Sequence, residues 1–179
     1  MKCTSLIGEE IVEEKTICLT GHRPKSLPWG YDETKISCKK FKKNLKQIFI
    51  DKIKEGFCVF LTGMAEGFDM MATEMLLKLK RKYKNIKICA IVPCKNQEIK
   101  WKESQQQKYH RILKNCDCVK ILEEEYTKSC MNDRNKYMVK HSSLVIACFN
   151  GKPSGTSNTI KFAQKKDIPI VVINPQDYI

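Results

Sequence analysis

Residues 57 to 80, FCVFLTGMAEGFDMMATEMLLKLK, change their periodicity within one short turn. The first six, Phe57 to Thr62, form a near-continuous apolar run, the pattern of a strand covered on both faces. Two glycines four apart, Gly63 and Gly67, interrupt the run, and a helical pattern follows from 68 to about 83. Strand, glycine turn and helix make one βα unit.

The same alternation extends in both directions. Thr16 to Thr20, Ile86 to Val92, Cys118 to Leu122, Ser143 to Phe149 and Pro169 to Asn174 predict further strands. Between the first two strands, Cys38, Phe41, Leu45, Ile48, Phe49 and Ile53 recur at helical spacing, while Lys39, Lys40, Lys42, Lys43 and Lys46 fill the positions turned to water. Helical stretches at about 98 to 115, 130 to 141 and 156 to 166 complete the pattern. Repeated βαβ units with right-handed crossovers predict an α/β protein: an open, mostly parallel sheet of about six strands with helices on both faces. Residues 1 to 15 read as an irregular N-terminal extension, with a short extra strand as the alternative. Residues 16 to 179 read as a single domain, long enough to bury a core without staples.

Composition bounds the function. The formal charge of +13 raises the question of nucleic acid, since clustered cations gain affinity by releasing counterions from phosphates. The excess is nearly all lysine spread over several helices, and only Arg23, Arg81, Arg111 and Arg134 are arginines. A solvated lysine surface is therefore expected, and nucleic acid is not the favoured partner. Of the ten cysteines, Cys18, Cys58, Cys89 and Cys148 lie inside predicted strands as small hydrophobes, which points to reduced thiols and a cytoplasmic protein. Cys116-Asp-Cys118 lacks the spacer and second pair of a zinc site, so no metal is expected. No signal peptide or membrane segment is expected either.

In open parallel sheets, ligands bind beyond the carboxyl ends of the strands, where helix N-termini face the crevice. Three loops fall at such ends. In the first, Gly21 lets the backbone turn or approach a ligand, His22 serves either a ligand or a local backbone group, and Arg23 can fork onto a phosphate or carboxylate or pair with an acidic helix end. The second, Thr62 to Asp69, can offer the N–H groups of Gly63, Met64 and Gly67 to an anion. Its Glu66 and Asp69 would repel a phosphate and suit ribose hydroxyls or a base N–H, or Asp69 caps the helix. In the third, from Phe149 through Asn150 and Lys152, Gly155 and Thr156 begin a helix with exposed N–H groups, although a threonine N-cap explains Thr156 equally well.

Four segments in this order, TGHRPKSLPWGYDE, LTGMAEGFDMMATE, VPCKNQEIKW and DRNKYMVKHSSLVIACFNGKPSGTSNT, resemble the YpsA-like branch of the SLOG superfamily, whose other branches include the DNA-processing protein A and the LOG phosphoribohydrolases. The resemblance covers nearly all of the chain after about residue 15. It implies a Rossmann-like three-layer sheet that binds nucleotides or nucleotide-derived signals, and a homo-oligomer, dimer or larger.

The LOG phosphate segment aligns its Gly-Thr with Gly155 and Thr156, but its final glutamate falls on Thr159, which lacks the carboxylate that handles a departing base. Glu66 is then the candidate catalytic residue, if there is one. Arg134 and Asn135 match a family R-N pattern, with Arg134 reaching either the rim or a partner subunit. Trp101 matches a family tryptophan and reads as a core aromatic. Trp29 and Tyr31 would form a wall or lid over a base. The expected function is binding of an ADP-ribose-like or cyclic-nucleotide signal at the rim, for sensing or sequestration, with no cofactor. N-glycosidic hydrolysis of a nucleotide and single-stranded DNA binding are the alternatives.

Overall fold

The computed structural model describes residues 15–179. Six strands and five helices alternate along the chain: β1 (Thr16–Gly21), α1 (Ile36–Lys54), β2 (Val59–Thr62), α2 (Phe68–Lys80), β3 (Lys87–Cys94), α3 (Glu103–Leu113), β4 (Cys118–Glu123), α4 (Cys130–Lys140), β5 (Leu144–Cys148), α5 (Gly155–Lys165) and β6 (Ile170–Ile173). Residues 1 to 14 of the expected extension lie outside the described residues.

The strands form one sheet in the order β4-β3-β2-β1-β5-β6. All five pairings are parallel, which sharpens the expectation of a mostly parallel sheet. After β4 the chain returns across the sheet to place β5 on the other side of β1, so the connections diverge between β1 and β5. That divergence is a topological switch point, where this class of sheet opens a crevice.

Alternation along the strands sorts the core into two faces. Ile17, Leu19, Phe60 and Ile88 pack with Phe41, Leu45 and Phe49 of α1 and Leu76 of α2. Cys18, Val59, Leu61 and Cys89 pack instead with Met138 and Val139 of α4 and Ile160 and Ala163 of α5. Further along the first face, Ala90 and Val92 meet Tyr109 and Ile112 of α3. All nine described cysteines are free thiols, and burial pushes that of Cys116 up to about 12, as suits a packing group.

One expected helix is shorter than its pattern. The helical reading from 98 begins only at Glu103, because Asn96 takes a left-handed φ of 57° and successive turns follow it. Gln106 holds those turns, its side-chain amide donating to the carbonyls of Ile99 (3.2 Å) and Trp101 (3.0 Å). Trp101 is half-buried and meets Tyr109 edge-on at 5.4 Å, the expected core role. Among the described residues, no helix is long and apolar enough to cross a membrane.

Candidate functional site

The loops after β1, β2 and β5 leave the same carboxyl edge of the sheet, and hydrogen bonds join them. Gly21 pairs with Cys148, and the next residue, His22, donates its backbone N–H to the Cys148 carbonyl at 3.2 Å. The His22 ring nitrogen Nε2 lies 2.8 Å from Oδ1 of Asn150 and 3.1 Å from its backbone N. With a proton on Nε2 the ring donates to the side chain; without one it accepts the backbone N–H. Burial holds the His22 pKa below its ordinary value, and the bond to Asn150 partly offsets that. His22 is thus a latch across the switch point, to a residue 128 positions away rather than to a local backbone group.

Gly21 and Gly63 answer to packing. A Cβ on Gly21 would stand 2.4 Å from the Phe68 ring, and one on Gly63 would stand 2.0 Å from Nη1 of Arg134. Gly67 combines a φ of +89° with a position where a Cβ would meet the His22 carbonyl at 2.7 Å. That carbonyl accepts the N–H of Phe68 at 3.1 Å, joining the first loop to the second.

The first three N–H groups of the turn from Gly63 to Gly67 are spent internally. Asp69 accepts the N–H of Ala65 at 3.3 Å and is also bonded by the N–H of Gly63, while the N–H of Met64 goes to Oγ1 of Thr62 at 3.2 Å. The expectation that Gly63 and Met64 offer bare N–H groups to an anion is corrected accordingly. Asp69 does not cap α2, whose N-cap is Gly67, and at 4% exposure it supports the turn from inside. Burial raises its pKa, opposed mainly by Arg134 and the two N–H groups, with Arg23 contributing.

Arg134 reaches the rim from α4 within this chain. At 5% exposure, its Nε donates to Oδ1 of Asn135 at 2.8 Å and its Nη1 to the Gly63 carbonyl. Burial pulls its pKa down, Asp69 pushes it back up, and Arg23 adds repulsion. Arg23 is half-buried and makes no hydrogen bond or ion pair with its side chain among the described residues. Arg23 and Arg134 thus both favour the charged form of Asp69 while disfavouring each other.

Glu66 is buried, and its Oε1 accepts from the hydroxyl of Tyr31 at 3.3 Å. Tyr31 is 50% exposed, with Nζ of Lys102 5.3 Å above its ring. Trp29 does not share the expected lid: it is 1% exposed and stacks in the core against Phe41 at 5.0 Å.

At the third loop, Ser154 rather than Thr156 caps α5. Its Oγ accepts the N–H of Ser157 at 3.3 Å while Oγ of Ser157 accepts the N–H of Ser154 at 2.8 Å. This reciprocal box satisfies two donors and leaves those of Gly155 and Thr156 without partners among the described residues. A Cβ on Gly155 would meet nothing within 4 Å, so the helix end is open. Thr156 is buried, Lys152 is exposed, and the Lys152 N–H turns back onto Oδ1 of Asn150 at 3.1 Å. Thr159 is fully buried and donates to the Gly155 carbonyl at 3.1 Å, a bond internal to the helix.

Gln97 was missed as a member of this neighbourhood, although the VPCKNQEIKW segment contains it. Its Nε2 faces the carbonyls of Gly63 (3.4 Å) and Met64 (3.5 Å), and its Oε1 is buried without a partner. Among the described residues, no three His, Cys, Asp or Glu side chains are grouped to hold a metal.

These features define an open, doubly wound parallel α/β protein whose switch point lies between β1 and β5. The chain belongs to the YspA SLOG family (YpsA), which it matches over residues 17–178. It is 33% identical over 124 residues to the uncharacterized SPbeta prophage-derived protein YoqJ of Bacillus subtilis, covering 63% of this chain and 72% of that one. A UPF0398 protein of Halalkalibacterium halodurans is 29% identical over 171 residues, covering 91% and 89%. Among solved structures, DNA processing protein A from Streptococcus pneumoniae superposes with a TM-score of 0.58 at 16% identity, over 89% of this chain and 50% of that chain. DNA processing protein A from Helicobacter pylori gives 0.58 at 17% identity, over 92% and 71%. This chain therefore spans about half the length of the streptococcal protein, and the likeness is one of fold.

Proposed function

We propose that this protein binds a nucleotide or nucleotide-derived small molecule, of the ADP-ribose-like or cyclic-nucleotide kind, at the carboxyl edge of the sheet, for sensing or sequestration. The observation that carries the reading is Arg23, a half-buried guanidinium at the strand mouth with no hydrogen-bonded counter-ion among the described residues. An anionic ligand supplies that counter-ion, and a planar fork suits a phosphate. The unpaired N–H groups of Gly155 and Thr156 give the same ligand a helix N-terminus. Glu66 and Tyr31 offer a carboxylate and a hydroxyl for ribose, while Asp69, Gly63 and Arg134 hold the floor in shape.

Calorimetry against AMP, ADP-ribose, cyclic mononucleotides and unphosphorylated adenosine tests this. Arg23→Ala is expected to weaken the phosphorylated compounds about tenfold or more, close to the loss of one charge-assisted contact, and to leave adenosine nearly unchanged. A folded protein that binds none of the panel would sink the reading. Base released from these compounds and abolished by Glu66→Gln would shift the function to glycosidic hydrolysis. Light scattering on the same samples tests the proposed homo-oligomer.

A second reading, single-stranded DNA binding at the same edge, is favoured by one observation: DNA processing protein A from Helicobacter pylori, which shares this fold, has a single-stranded DNA binding mode. Tight binding of oligothymidylate that collapses with added salt, and no affinity for mononucleotides, would favour it.

A further inference from the structure

Away from the rim, α1 and α2 enclose a groove of about 600 Å³ on the outer face of their helix layer. Its lips carry Lys39, Lys42, Lys43 and Lys46 from α1, with Lys78 and Lys82 from the end of α2 and the turn beyond it. The carboxylate lining it, Glu74, is already engaged by Lys108 at 3.1 Å and Arg111 at 2.7 Å. Lys42 is bound to Glu33, whereas the other five lysines have no carboxylate within 4 Å among the described residues. The floor is apolar. Met71 and Leu79 beneath it belong to the core, at 2% and 6% exposure, so the apolar surface the groove presents is that of the half-buried Met75, Ile50 and Tyr83.

We propose that this groove receives an acidic amphipathic helix of a partner protein, its apolar stripe on Met75, Ile50 and Tyr83 and its carboxylates against the lysine lips. Charge complementarity sets the sign of the partner: five unpaired lysines face one occupied carboxylate. The chemistry of the floor sets its class. Single-stranded nucleic acid needs aromatic platforms for its bases and is gripped best by arginine forks, but this groove has Tyr83 as its one aromatic and no arginine in its lining. The unbranched thioether of Met75 beside Ile50 instead adapts to the irregular apolar face of a helix. Lysine stems add their methylenes to the apolar contact while their ammonium groups stay at the lips.

The test is fluorescence anisotropy with a labelled synthetic peptide of about sixteen residues, long enough to form a helix, with leucines on one face and glutamates on the other. Two controls share its charge: a peptide of identical composition with the leucines scrambled around the helix, and oligothymidylate. The amphipathic peptide is expected to bind tightest, and the exposed pair Lys43→Glu/Lys46→Glu to weaken it by about tenfold or more. Met75→Gln, checked for folding by circular dichroism and melting, is expected to weaken the amphipathic peptide but not the scrambled one. Equal or tighter binding of the scrambled peptide or the oligothymidylate would overturn the proposal. So would an absence of peptide binding, or a lysine pair variant that binds as well as the native protein.

Discussion

The His22 latch ties stability to pH. Burial keeps its folded pKa below the ordinary 6.5, so between the folded value and 6.5 the unfolded chain binds more protons than the native one. The contribution to stability is therefore full above 6.5 and drains away as pH falls through the folded value. Melting temperature is expected to drop on going from pH 7 to pH 5, with a shallower drop in His22→Gln, whose amide still reaches Asn150. Identical slopes for the two proteins would remove His22 from the account. The residues around this latch show how much sequence could reveal. The glycines at 21 and 63 stood out, but their reason did not: Arg134 lies on Gly63 from 71 residues away, and Phe68 fills the space over Gly21. Likewise, the inward turn of Asp69 depends on N–H directions that no spacing of letters encodes.

Helices and strands, by contrast, were readable nearly to their ends, because each buries one face at a fixed period. Cys38, Phe41, Leu45, Phe49 and Ile53, the buried positions of α1, are residues its pattern marked. Periodicity fails where a local device overrides it, as with the left-handed Asn96 ahead of α3, and it is silent on caps such as the Ser154 and Ser157 box at the start of α5. The box gives a measurable expectation. Ser154→Ala removes the acceptor for the Ser157 N–H and should cost about 0.5–2 kcal/mol in urea unfolding, the usual range for a lost N-cap. It should also disturb any phosphate held by Gly155 and Thr156, since their N–H groups are aimed by the turn that Ser154 closes. An unchanged midpoint would mean that the α5 terminus is held by packing alone.

The whole sheet depends on a long-range closure. β1 pairs with β2 on one side and with β5 on the other, and the second register joins Ile17 to Leu144 and Gly21 to Cys148. A chain ending before β5 would lose β5, β6 and α5, and with them the partners of Cys18 on that face. Such a truncation, ending at residue 143, is expected to lose cooperative thermal unfolding; a sharp melt with a native-like circular dichroism spectrum would contradict this. Overall sheet class was legible because βα units repeat along the chain, whereas the groove between α1 and α2 was not: the lysines read as a solvated surface, and nothing in the pattern marks how two helices splay.

This strand order also constrains biosynthesis. As the polypeptide leaves the ribosome, β1 to β4 can assemble in sequence, but one flank of β1 waits for residues more than 120 positions later. Throughout that interval the nascent chain presents a bare hydrogen-bonding edge beside an uncovered apolar face, the combination most prone to mispairing with neighbouring chains.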